Sequence, residues 1–185
     1  MRLALRSSCL FLAAWAACAQ QDRITGPIDT TRTAVLKGNR SSRALPQYDR
    51  GPVDPGQLIN GVTLVFMRTA SQQAALDQLL AEQQDPTSPN YHNWLTPEQF
   101  ADRFGLSAND VGKVAEWLQS QGFSVAYEAR SRTYLTSSGT AAQVQAAFHT
   151  ELHRYQVDGN PLRQQLRSFH SRRVRAGGAG NPRAG

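Results

Sequence analysis

The sequence predicts an α+β domain: an antiparallel-sheet open sandwich, ferredoxin-like, with its helices packed on one face. Three observations carry this. Stretches of period two at 60–69 and 123–138 alternate with stretches of helical period at 72–84, 107–121 and 141–149. The two later strands lie close enough in sequence to form a hairpin, which makes the sheet antiparallel. Helices inserted between antiparallel strands each bury one stripe, and so collect on one face of the sheet.

The first strand is "NGVTLVFMRT", 60–69. Val62, Leu64 and Phe66 fall on one face and Thr63, Val65 and Met67 on the other, giving one apolar and one mixed face. Ser71 is expected to cap the helix "QQAALDQLLAEQQ", whose Ala75, Leu76, Leu79 and Leu80 form a stripe. In "LSANDVGKVAEWLQSQG", Ser107 and Asp110 have capping-box spacing. Val111, Val114, Ala115 and Leu118 follow the helical period, and Gly122 ends it. "FSVAYEARS" and "RTYLTSS" read as a hairpin turning near Arg130 to Arg132. Thr140 and Gln143 make a second capping box for "AAQVQAAFH", with Val144, Ala147 and Phe148 inward. "TELHRYQVDGN" closes as a strand ending in an Asp158-Gly159 turn signal.

The 185 residues divide into four parts: a signal peptide at 1–19, an extended leader at 20–57, the domain at 58–160 and a disordered basic tail at 161–185. The first part, "MRLALRSSCLFLAAWAACA", has Arg2 and Arg6, a short apolar run and a small-x-small ending. Cleavage is expected before Gln20, with a secreted or periplasmic product. The apolar run is too short for a stable membrane span. Ala16-Ala17-Cys18 offers a lipoprotein alternative, but Trp15 stands where an aliphatic residue is usual. Both cysteines, Cys9 and Cys18, fall in this segment, so the mature domain must hold together without a disulfide. The leader shows no apolar periodicity beyond a short strand signal at Ala34-Val35-Leu36.

The net charge of +6 does not indicate nucleic-acid binding. The tail from Pro161 onward has six Arg and no acid. The stretch 54–158 has six Lys or Arg against eleven Asp or Glu, a net −5. Binding phosphates requires cations clustered on a folded face.

No catalytic constellation emerges. Ser138-Gly139-Thr140 resembles the surroundings of some serine nucleophiles, but Thr140 sits where it caps a helix, and no base accompanies the serine. His149, Glu151 and His153 share one face of the expected strand. At that spacing the two histidines are too far apart for one small ion, so a solvated face that gains charge in acid is expected instead. Glu98, Asp102, Asp110 and Glu116 are expected at helix starts and on exposed helical positions. The chain is therefore expected to be no enzyme as it stands and to need no cofactor.

The most informative stretch is "DPTSPNYHNWLTPEQFADRFG", 85–105. Thr96 caps a short helix, Pro97 takes its first position, Glu98 favours its positive end, and Phe100 with Phe104 makes an inward pair. Pro86 and Pro89 stiffen the approach, and Tyr91 and Trp94 can lay their rings on the sheet or on a partner. His92 is either a pH-responsive contact or simply exposed. Tyr91, His92, Trp94, Thr96, Pro97, Phe100, Arg103 and Phe104 are thus the candidate partner-interface or motif residues.

This string, followed in order by "WLQSQGF", "GTAAQVQAAFHTELHRY" and "VDGN", resembles the activation prodomain of pro-kumamolisin, the prodomain of the sedolisin or serine-carboxyl peptidases. The resemblance covers about 58–160. It implies a secreted α+β propeptide that assists folding, covers a peptidase catalytic domain as its partner, and keeps it inactive until removal in acid. It also implies a subtilisin-like peptidase domain with a Ser-Glu-Asp triad and a calcium site. Neither triad nor calcium ligands can be carried over to a residue here, and Ala141 stands where the nucleophile motif continues with Ser.

The family's linker is replaced by "PLRQQLRSFHSRRVRAGGAGNPRAG", a composition that GC-rich coding DNA gives out of frame. With permitted codons, reading 167–174 one base later yields Asp-Pro-Ser-Ile-Pro-Ala-Ala, close to the family's linker. One reading is therefore a frameshift just after Gly159 in a longer proenzyme, which the downstream nucleotide sequence decides. The alternatives are a secreted binding or adhesion module with a prodomain-like fold, and a non-functional truncated fragment.

Overall fold

A capping side chain sets the start of each described α-helix. The structure, a computed structural model, describes residues 21–30 and 41–157, and the backbone of 160–161. A 3₁₀ turn at Pro46–Tyr48 leads into β1 (Asp49–Pro52) and β2 (Leu58–Val65). The chain continues through α1 (Ala70–Glu82), α2 (Pro97–Phe104), α3 (Ala108–Ser120), β3 (Ser124–Glu128), β4 (Tyr134–Thr140), α4 (Ala141–Phe148), β5 (His153–Val157) and β6 (Asn160–Pro161). This is an α+β arrangement with antiparallel sheets.

The strands fall into two three-stranded antiparallel sheets, ordered β2-β4-β3 and β1-β5-β6. The closing strand β5 thus pairs with β1, in register Asp49↔Tyr155 and Pro52↔His153, and not with the central sheet. The pairing extends past the strand end, where Val53 N donates to Leu152 O at 2.9 Å. Residues 49–57, expected to be part of the extended leader, therefore belong to the fold. The short strand expected at Ala34-Val35-Leu36 and the tail beyond Pro161 lie outside the described residues, as does the Asp158-Gly159 turn itself.

Helices α3 and α4 pack on the inner face of β2-β4-β3. Alternation along β4 turns Leu135 and Ser137 fully inward and Tyr134, Thr136 and Ser138 outward. Val111, Val114, Trp117, Leu118, Val144 and Ala147 meet this face, joined by Ile24, Val53 and Leu152. The Phe148 ring sits 5.9 Å edge-on from both Trp117 and Phe123. α3 ends as its Gly122 requires. That residue takes φ +85°, its N–H reaches Gln119 O at 2.9 Å, and Phe123 N reaches Leu118 O at 3.0 Å.

α1 departs from expectation at both its start and its stripe. Thr69, not Ser71, is the N-cap, because Gln72 lies three residues after Thr69 and closes a reciprocal capping box. Only Leu76 and Leu79 are buried, while Ala75 and Leu80 are exposed. The reason is that α1 packs on slender α2 in a small separate cluster of Leu76, Leu79 and Phe104, flanked by Leu95 and Phe100.

Candidate functional site

The crossover 83–105 is rigid for local reasons. Buried Gln83 donates from Nε2 to Asn93 O at 2.6 Å, and its own carbonyl accepts from His92 N at 3.2 Å. Asp85 accepts from both Thr87 N and Thr87 Oγ1, which holds its carboxyl below the usual range. Glu82 is held low in the same way by Gln78 and Asn90, the latter spanning the loop at 2.7 Å. His92 takes the left-handed conformation, φ +53°, that this tight path demands.

Rigidity there displays an aromatic ladder. The Tyr91 and His92 rings stack with centroids 3.8 Å apart, and His92 and Trp94 follow at 5.9 Å. Tyr91 is 40% exposed and Trp94 60%. The remaining candidate residues anchor the ladder. Thr96 Oγ1 accepts from Gln99 N at 3.2 Å while Gln99 Oε1 accepts from Thr96 N at 2.8 Å, and Pro97 begins the helix. Phe100 and Phe104 pack at 5.2 Å. Arg68 lies over the Phe100 ring and Arg103 over the Phe104 ring. The structure therefore brings Tyr91, His92 and Trp94 together on the surface and assigns Thr96, Pro97, Phe100 and Phe104 to support, with exposed Arg103 stacked beside them.

α2 is tied to the β3–β4 turn by two ion pairs, Arg130 to Glu98 and Arg132 to Asp102, both at 2.6 Å. The Arg130 hydrogen bond holds the Glu98 carboxyl below its usual range.

A second surface was only half visible in the sequence, as the mixed face of the first strand. The outer face of β2-β4-β3 and its continuation carry Val65 and Met67, 68% and 66% exposed, with Tyr127 and Tyr134 beside them, ring centroids 5.9 Å apart. Thr63 and Thr136 share a 3.1 Å hydrogen bond on this face. None of the described helices covers it.

The histidine expectation is corrected. His149 is the left-handed C-cap of α4, φ +47°, while His153 opens β5, so the two do not share a strand face. His153 Nδ1 lies 2.9 Å from both carboxylate oxygens of Asp49, and Glu151 approaches its Nε2 at 3.8 Å. Among the described residues no three His, Cys, Asp or Glu side chains are grouped to hold a metal. Asp110, expected among the helix starts and exposed helical positions, lies in the first turn of α3 and is fully buried. No described helix is long and apolar enough to cross a membrane.

The described residues thus form a small α+β domain with an exposed apolar group on one sheet face and a braced aromatic ladder. The sequence profile described as "Pro-kumamolisin, activation domain" matches residues 47–173, and the chain belongs to that family. It is 34% identical over 85 residues to xanthomonalisin of Xanthomonas sp. (strain T-22), covering 46% of this chain and 10% of that protein. It is 31% identical over 87 residues to sedolisin of Pseudomonas sp. (strain 101), covering 47% and 15%. Aorsin of Aspergillus oryzae (strain ATCC 42149 / RIB 40) is 25% identical over 125 residues, covering 66% and 19%. These relatives are sedolisin-family peptidases, and the chain spans only 10–19% of their length, the activation-domain portion.

Proposed function

We propose that this chain is the propeptide of a sedolisin-like serine-carboxyl peptidase, that it assists folding of the catalytic domain and inhibits it, and that it is released in acid. The family match over 47–173 carries this reading. The exposed sheet face around Val65, Met67, Tyr127 and Tyr134 supports it by offering a docking surface, with the Tyr91–Trp94 ladder as a second contact. Calcium belongs to the peptidase partner in this reading, and the signal-like 1–19 segment directs the product out of the cytoplasm.

Acid release follows from the charge of the folded part. The net −5 of 54–158 falls as Asp and Glu protonate near pH ~4, which weakens carboxylate contacts to cationic groups on a partner. The test is binding of the purified chain to a mature sedolisin-type peptidase, with residual peptidase activity read in parallel. Binding and inhibition at pH ~7 that weaken at pH ~4 are expected. Equal affinity at both values counts against acid release, and no binding at either counts against the propeptide role.

A further inference from the structure

N-terminal to the residues matched by the family lies a second built contact. Asp22, Arg23 and Ile24 cross the entrance of α3 as an irregular strap, bent at Arg23, that belongs to neither sheet. The carboxylate of fully buried Asp110 accepts from Arg23 N at 2.6 Å and from Ile24 N at 3.0 Å. Lys113, three residues along the helix, donates from Nζ to Ile24 O at 2.5 Å. Three main-chain polar groups of the strap are thus read by two side chains of α3. The Asp22 side chain is also read, its carboxylate accepting from Ser107 Oγ at 2.6 Å and from Asn109 Nδ2. Ile24 enters the main core at 6% exposure, and Ile28 packs against the same cluster. Arg23 points away, its Nη1 donating to Met67 O at 2.8 Å.

The strap both covers the Asp110 carboxylate and supplies two backbone donors to it, so its departure exchanges two hydrogen bonds and the buried Ile24 contact for water. The selectivity follows from the contacts: an acceptor side chain at the first position, an aliphatic side chain at the third, and a backbone bent at the second, whose side chain reaches only the exposed Met67 carbonyl. We infer that the entrance of α3 is a docking site for an Asp-x-Ile segment bent at its middle residue, filled in cis by residues 22–24 and able to exchange it for the same segment supplied in trans. The strap is then a removable part of the core, displaceable by a second copy's N-terminal segment or lost by cutting between it and β1.

The test uses the full chain carrying D22A and I24S, which weakens the strap, and a fluorescent peptide of residues 21–30. Saturable binding is expected, at least about tenfold weaker to the wild-type chain, whose site is occupied, and lost when D110N is added. A folded D22A/I24S chain that fails to bind, or binding indifferent to D110N, overturns the inference. Amide exchange in the wild-type chain gives a reading independent of those variants. The Arg23 and Ile24 amides should be protected yet open more often than those of Leu118 and Leu135. Exchange only together with the core, or no protection at all, overturns it equally.

Discussion

Leu106 and Arg132 exchange hydrogen bonds across the join between α2 and the β3–β4 turn. Leu106 N donates to Arg132 O at 3.0 Å, and Arg132 Nε donates to Leu106 O at 2.8 Å. Arg132 does this from the left-handed region, φ +50°, closing the turn through its own N–H to Ala129 O at 2.7 Å. The join brings Gly105 against the turn so closely that a Cβ there would lie 2.4 Å from Ser131 O and 2.9 Å from Ala101 O. G105A therefore forces backbone apart on both sides and should destabilise the domain by about 1–3 kcal/mol, read by urea denaturation. A wild-type midpoint would show that the turn moves aside freely.

The sandwich between the central sheet and α3 should dominate stability. Leu118 is fully buried against Leu135 and Val144 in one cluster. L118A should cost about 2–5 kcal/mol, with the loss set by how far α3 collapses into the void. By contrast, L80A on the exposed side of α1 should change stability by less than about 0.5 kcal/mol. Comparable losses from both would contradict the division of the core.

The Glu98–Arg130 contact fixes the sign of one pH effect. The folded carboxyl is held below its ordinary value chiefly by the Arg130 hydrogen bond. Its contribution is therefore complete above the ordinary carboxyl value, near ~4.3, and is lost as the pH falls through the lowered folded value. Asp22 behaves with the same sign, its carboxyl held low first by Ser107 and then by Asn109. Carboxyl titration followed by NMR should show Glu98 moving up toward the ordinary value in R130A. A titration unchanged by R130A would remove the ion pair as the cause.

The aromatic ladder separates binding from folding. Tyr91 and Trp94 are exposed, so Y91A and W94A should each leave stability within about 0.5 kcal/mol of wild type. If the ladder faces the peptidase, W94A should weaken binding to the mature enzyme by about 2 kcal/mol, as a central aromatic anchor does. M67A, on the sheet face, provides the matching measurement. A loss with M67A alone would leave the sheet as the docking surface and the ladder outside it.

Short-range chemistry made much of this protein legible in its sequence. The Thr96 cap, the Thr140 box, the Pro97 start, the Gly122 stop and the Phe100–Phe104 pair all act within four or five residues, so spacing alone reveals them. The family was legible for the same reason, because its identifying string is this locally determined crossover. The choice of Thr69 over Ser71 was harder, since both offer a hydroxyl and only the reach of Gln72 separates them.

Long-range pairing was decided by tertiary structure alone. Asp110 has the spacing of a capping-box partner for Ser107, and Ser107 Oγ does accept from Asp110 N at 3.0 Å. The Asp110 carboxylate nevertheless turns to main-chain groups 86 and 87 residues earlier. A three-residue strap and a four-residue strand are too short to show a period, so 22–24 and Asp49–Pro52 carried no signal of their own. The sequence by itself determined the helices, the hairpin and the family, because those rest on contacts between near neighbours. Only the folded chain decided which strand β5 joins, what Asp110 holds, and that no described helix covers the Val65–Tyr134 face, because each depends on groups brought together from distant parts of the chain.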